Sequence, residues 1–247
     1  MDVWKALLSA GVGYLLGSIS FARLIVKIVT PGQEIAGMDL GGAEAQEKIH
    51  VQAVSGTAVS VKLGAKWGGI TALLDILKVA VPTLIFQFAF SEPSYHLLAA
   101  TAGLVGHNWP IYHRFRGGRG LSAIYGGFLA VDWLGSLVTS TVGMLLGLAV
   151  LKNVLISYMA GLWLMIPWLW FRTHDVAYIA YIVSVNIIFA LAMIPDVAGM
   201  IDRKRRGVQM DFVQAMELTP MGHGIGKMAN RFGLLRSRES GNDMDSK

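Results

Sequence analysis

Two stretches of this chain, 154–171 and 176–195, carry no charged residue at all. A bilayer core needs about 20 consecutive apolar residues in a helix, because a segment in hydrocarbon must satisfy its own backbone hydrogen bonds. Runs of this kind leave little choice of architecture. In all, apolar runs cover Val3 to Val29, Gly69 to Phe90, Tyr95 to Tyr112, Leu121 to Leu151, Val154 to Phe171 and Val176 to Ile201. The run from Leu121 to Leu151 is too long for one crossing and has Asp132-Trp133 in its middle. It therefore splits into a short helix and a second helix joined by a tight turn. About seven transmembrane helices follow, and the expected fold class is an all-α polytopic membrane protein. Only 15% of the residues are charged, against about a quarter in soluble domains. A transmembrane barrel would need short alternating strands, and the sequence has none of that pattern.

Charge at the ends of the runs sets an orientation. One set of ends holds Lys27, Lys62, Lys66, Arg114, Arg116, Arg119, Lys152 and Arg203 to Arg206; the other holds Glu92, Asp132, Arg172 and Asp175. Positive charge marks the cytoplasmic side. This predicts an N-terminus outside and a cytoplasmic C-terminus in the plasma membrane. Residues 1–201 form a single helical domain with a polar cytoplasmic loop at 31–67, in which Ala43 to Val54 has the composition of a surface helix. Residues 202–247 form a polar tail whose end is expected to be disordered.

The net charge of +5 sits beside apolar segments, where anionic membrane lipids are its natural partners. No basic face interleaved with aromatics points to nucleic acid. There is no cysteine, which removes disulfides, thiolate metal sites and a cysteine nucleophile. The six histidines show no ligand spacing, so neither a metal nor another cofactor is expected. The N-terminal run lacks a cleavage site followed by a polar mature domain, and is taken as a retained helix.

The densest chemistry lies at Gly106-His107-Asn108-Trp109-Pro110, followed by His113-Arg114-Phe115-Arg116-Gly117-Gly118-Arg119-Gly120. Glycines let backbone N–H groups converge, and arginines add bidentate phosphate contacts. Two readings stand side by side: a phosphate pocket at the water–lipid boundary, or a positive-inside anchor. Pro110 disfavours helix at Trp109, so the helix should end or bend there. His107 then serves either in acid–base chemistry or as a holder of the bend. Asp75 and Lys78 share a helical face and can pair, either fixing helix packing or orienting a basic group of the site. Ser18 and Ser20 lie near Arg23 and Lys27, with bonding to their own helix as the alternative to a site role. No Gly-x-Ser-x-Gly elbow or Ser–His–Asp set is present.

With these residues assembled, the chain resembles the bacterial acyl-phosphate:glycerol-3-phosphate acyltransferase family, the PlsY family. The matching elements are Tyr14-Leu15-Leu16-Gly17-Ser18-Ile19, Gly64 to Gly68 leading into Leu74-Asp75-Ile76-Leu77-Lys78, and Gly106-His107 with Pro110 and Phe115-Arg116-Gly117-Gly118-Arg119-Gly120. They cover roughly residues 13 to 130. The resemblance implies transfer of an acyl chain from acyl phosphate to glycerol 3-phosphate, giving lysophosphatidic acid without a metal. It assigns the glycerol 3-phosphate loop to Arg116, Gly117, Gly118, Arg119 and Gly120, although the family usually carries lysine at positions 116 and 119. The chain departs elsewhere. Of the family's Gly-Ser-Gly-Asn and Gly-Ala-Thr-Asn motif, only Thr57 and Val59 remain, with Ser55 and Lys62 available in a slipped register. Asp202 to Arg206 stand where the family has a His-Arg-x-Asn-Ile run. The candidate site is therefore His107, Ser55 and Lys62 as catalytic groups. Arg116, Gly117, Gly118, Arg119, Gly120, Ser122, Ser20, Asp75 and Lys78 are its substrate-binding residues. The alternative is a non-catalytic relative that binds a phospholipid or glycerol phosphate as regulator or subunit. A transporter would show two repeats, and none is found.

Overall fold

The computed structural model describes residues 2–40, 49–150 and 154–205. It is a helical bundle: α1 (Val3–Gly17), α2 (Phe21–Val29), α3 (Gly56–Leu63), α4 (Ala65–Ala89), α5 (Pro93–Asn108), α6 (Leu121–Leu145), α7 (Val154–Thr173) and α8 (Val176–Arg205). Among the described residues, four stretches are long and apolar enough to cross a membrane: Val3–Val29, Ala65–Ala89, Leu121–Leu145 and Val176–Gly199. The outward faces carry Trp4, Leu7, Ile28, Phe88, Phe171 and Ile187 in the open. In water such surface would be a liability; in lipid it is the solvated face. The protein is thus a multi-pass helical membrane protein.

The core lies between α4, α5, α6, α7 and α8. Val79, Leu104, Ile124, Phe128, Met165, Leu169, Ile182 and Val185 meet there, all buried. Helix α1 lies against α5, where Cβ atoms on Gly13 and Gly17 would run into the backbone of Ala99 and Gly103. Small residues allow this close approach, which supplies helix association in lipid by packing.

Helix α6 is interrupted at Asp132, whose backbone (φ −154°, ψ 93°) is not helical. The expected turn is here. Before it, Gly120 faces Leu104 and Asn108, and Gly127 faces Ala100 and Tyr181. After it, Gly135 faces Trp168 and Gly143 faces Gly161, so the second half runs antiparallel to α7. The Asp132 carboxylate caps the second half, accepting from the Gly135 N–H at 2.8 Å. It also accepts from Trp168 Nε1 at 3.1 Å and pairs with Arg172 Nε at 2.6 Å.

Two expectations need correction. The surface helix across Ala43 to Val54 does not form in the described part. Strands β1 (Met38–Leu40) and β2 (Ile49–Val51) pair antiparallel instead, with Asp39 opposite His50. β-branched Ile49 and Val51 suit an extended ribbon, and pairing satisfies backbone that a lone surface turn would leave open. The run ending at Tyr112 also stops earlier as a helix, at Asn108, with a short 3₁₀ turn at Ile111–His113. Pro110 supplies no N–H and restricts Trp109, which accounts for the stop. The end of the tail, Arg206 included, lies outside the described residues, as does 41–48 of the polar loop.

Candidate active site

Three interruptions of regular backbone meet at one end of the bundle. The first is Ser18–Ser20, between α1 and α2, where Ser20 is extended (φ −94°, ψ 91°). The second is the end of α5 at Asn108, where Tyr14 donates its hydroxyl to the Trp109 carbonyl at 3.0 Å. The Ile111 N–H donates to Ser18 Oγ at 3.4 Å and ties the first to the second. The third is the glycine-rich loop, entered through Arg114 and Phe115, both with left-handed backbone (φ 51° and 59°).

That loop is laid directly on the end of α5. The Gly118 N–H donates to the His107 carbonyl at 3.2 Å, and the Val54 N–H donates to the Gly117 carbonyl at 3.1 Å. A Cβ on Gly117 would strike the His107 carbonyl oxygen, and one on Gly118 would strike His107 Nε2. Only glycine permits this approach. Gly120 (φ 87°) then turns the chain into α6, a conformation that costs other residues about 1 kcal/mol or more.

The result is a small open cleft whose walls are Gly17 to Ser20, Val54, Pro110, Gly117 and Gly118. Its floor is polar. Lys78 Nζ lies 2.7 Å from Asp75 Oδ1 and donates to the Ile19 carbonyl at 2.7 Å. His107 Nδ1 is 3.6 Å from the same carboxylate oxygen, an electrostatic contact too long for a hydrogen bond. All three side chains are buried. Among the described residues His107 Nδ1 has no hydrogen-bond partner, and neither does the amide of the adjacent Asn108. Buried polar atoms without partners are rare in hydrocarbon-facing bundles because each costs several kcal/mol. They gather here.

The rim is cationic. Arg23 donates to Ser20 Oγ at 3.2 Å and to the Arg116 carbonyl at 2.7 Å; Arg114 and Arg116 are exposed. Partial burial, with the positive charges of Arg23 and Lys78, holds His113 below its ordinary value of 6.5. An anion entering the cleft would meet Lys78 below and the Arg23 side chain at the edge.

Of the residues predicted from sequence, Ser20, Asp75, Lys78, His107, Gly117 and Gly118 line the cleft together. Arg116 stands at the rim through its backbone. Arg119 does not turn inward: its guanidinium grips Asp196 of α8 at two points, Nε to Oδ2 and Nη2 to Oδ1, each 2.5 Å. Gly120 and Ser122 belong to the start of α6, outside the lining. Ser55 caps α3, accepting from the Ala58 N–H at 3.4 Å. Lys62 donates to the Glu34 carbonyl at 2.7 Å and is likewise outside the cleft. Sequence reasoning missed Ile19 and Val54, whose contributions are backbone atoms, and Asp196, an acid just after an uncharged apolar run.

Fold and site together define a multi-pass helical membrane protein with an anion-suited cleft at one end of its bundle. Residues 7–203 match the family model for glycerol-3-phosphate acyltransferase, and the chain belongs to that family. A glycerol-3-phosphate acyltransferase of Shouchella clausii is 35% identical over 136 residues, covering 54% of this chain and 60% of the relative. One from Clostridioides difficile is 31% identical over 170 residues, covering 66% of this chain and 76% of the relative. With the first of these and with a Prochlorococcus marinus relative, the chain spans about three-fifths of the relative's length (60% and 58%). Crystal structures of PlsY, an integral membrane glycerol 3-phosphate acyltransferase, in its lysophosphatidic acid and glycerol 3-phosphate forms, share the fold. Each aligns with a TM-score of 0.64 at 22% identity, over 80% of this chain and 92% of that one.

Proposed function

We propose that this protein is an acyl-phosphate-dependent glycerol-3-phosphate acyltransferase of phospholipid synthesis, working in the plasma membrane with its cleft facing the cytoplasm. Seven crossings, with the two halves of α6 as separate ones, are part of the proposal. They put the Gly17–Ser20 break, His107 and the loop at one end, and Asp132, Arg172 and Tyr178 at the other. The cationic end is then the cytoplasmic one, where anionic lipids gather around Lys27 and the arginines.

The observation that carries the reading is the glycine loop pressed on His107 above the Asp75–Lys78 pair. The Lys78 ammonium lies in the floor of the cleft, with the Arg23 side chain at its edge on Ser20 Oγ and the Arg116 carbonyl. In the reaction, the glycerol hydroxyl oxygen attacks the carbonyl carbon of the mixed anhydride. A C–O bond to glycerol forms, the C–O bond to phosphate breaks, and inorganic phosphate leaves with the hydroxyl proton. Because the donor is already activated, holding both reactants in line and neutralising phosphate charge supplies most of the catalysis. Lys78 and the rim arginine Arg23 provide the neutralisation, and His107 sits where it can orient the acceptor hydroxyl. Ser55 and Lys62 take part only by shaping α3 beside Val54.

The test is transfer by the purified protein in liposomes, from acyl phosphate to glycerol 3-phosphate, with lysophosphatidic acid as the measured product. No product from any acyl donor, with phosphate binding retained, sinks the proposal. A second reading, a non-catalytic phosphate or phospholipid binder, draws on Ala53, Ala58 and Val61 standing where the resembling family carries two asparagines and a basic residue. Complementation of a strain lacking its acyltransferase separates the two.

A further inference from the structure

The geometry points to Asp196 as a positioning residue that fixes the glycine-rich loop to helix α8 through Arg119. This rests on the acyltransferase reading for its kinetic arm only. A carboxylate in the apolar stretch of a membrane helix is expensive unless it is paired. Among the described residues Asp196 meets that cost with one partner, and the partner comes from the loop. Both guanidinium nitrogens that reach it do so at 2.5 Å, and both side chains are largely buried. Pro195 precedes it and supplies no N–H to the helix, so α8 loses one backbone bond beside the contact.

One departure from the resembling family bears on this contact. Position 119, a lysine there, is arginine in this chain, and only arginine has the planar fork for a two-point grip on a carboxylate. Its immediate neighbour Gly118 lies against His107 with no room for a methyl group. Whatever holds residue 119 therefore sets how the loop meets the cleft. Arg119 acts on α8, and the anion is left to Lys78 and the rim arginine Arg23.

The experiment compares Asp196→Asn, Arg119→Lys and the double variant in liposomes, measuring kcat and KM for glycerol 3-phosphate. It also follows backbone hydrogen exchange at residues 115–120. Each single variant is expected to raise KM by about tenfold. The double should raise it no further than the worse single, since one contact is lost in all three. With Asp196→Asn, kcat should stay within about threefold, and exchange in the loop should quicken while that in α1 does not. Arg119→Lys keeps both charges paired and decides the matter if Asp196→Asn fails to fold. A wild-type KM in Arg119→Lys overturns the proposal. So does a lower KM in Asp196→Asn, which would mean that a freed Arg119 grips phosphate, and so do effects that multiply in the double. If wild-type protein transfers no acyl group, the acyltransferase reading fails alone; unchanged loop exchange in Asp196→Asn then overturns the clamp, and faster exchange sustains it.

Discussion

Each end of this bundle buries a carboxylate, and the two are treated differently. At the far end Asp132 is fully engaged: it accepts from the Gly135 N–H and Trp168 Nε1 and pairs with Arg172. The group holds a helix kink closed, with Arg172 half-exposed at its edge. At the cleft end Asp75 pairs with Lys78, yet His107 stays 3.6 Å away and the amide of Asn108 has no partner among the described residues. The same apolar frame thus contains one saturated polar cluster and one left partly unsatisfied beside an opening. Saturation stabilises a fold; incompleteness beside a cleft leaves groups free for a ligand.

The largest test of this contrast removes one charge at the cleft. Lys78→Met leaves Asp75 buried without its cation and should destabilise the protein by about 3–5 kcal/mol. Denaturation in detergent measures the loss, and Asp75→Asn/Lys78→Met together should recover most of it. An unchanged midpoint in the single variant would mean that the pair is solvated and the contrast misplaced. Next comes Gly118→Ala, whose methyl group would push the loop off His107. Acyl transfer should fall about 100-fold in kcat/KM, with a stability change of only about 1–3 kcal/mol.

At the far end, Asp132→Ala should cost about 1–3 kcal/mol, from the lost cap and the unpaired indole N–H. Arg172 is about half exposed (52%) and can turn to water. Transfer kinetics should not change, and a fall in kcat/KM comparable to that of Gly118→Ala would break the division between the two ends. The smallest effect is one of pH. His113 has its folded value below 6.5, so the unfolded chain binds the proton more tightly. Stability is then full above 6.5 and declines as pH falls below it. In His113→Gln the acid loss measured below about pH 6.5 should shrink; an identical slope would show that burial and the rim charges do not act on His113.

Most of the scaffold was legible from residue order. The uncharged runs announced helices, Pro110 ended one, and Asp132 marked the interruption of α6. The Asp75–Lys78 pair follows from their spacing on one helical face. The Asp196 partner of Arg119 was not legible, because a basic residue in a glycine loop carries no sign of which anion it meets. The ribbon at Met38–Leu40 and Ile49–Val51 was missed because helical and strand patterns are hard to separate over so few residues.

By itself, then, the sequence determined that this chain must be a helical membrane protein with a cationic glycine loop at a helix end. Hydrocarbon forces internal backbone pairing, and that requirement is written in composition and run length. Only the tertiary structure decided that Ser18–Ser20, Val54, Lys78, His107 and Gly118 share one cleft while Arg119 reaches across to Asp196. These contacts join residues tens of positions apart, several through backbone atoms. No local pattern records which carbonyl an ammonium reaches or which carboxylate an arginine grips.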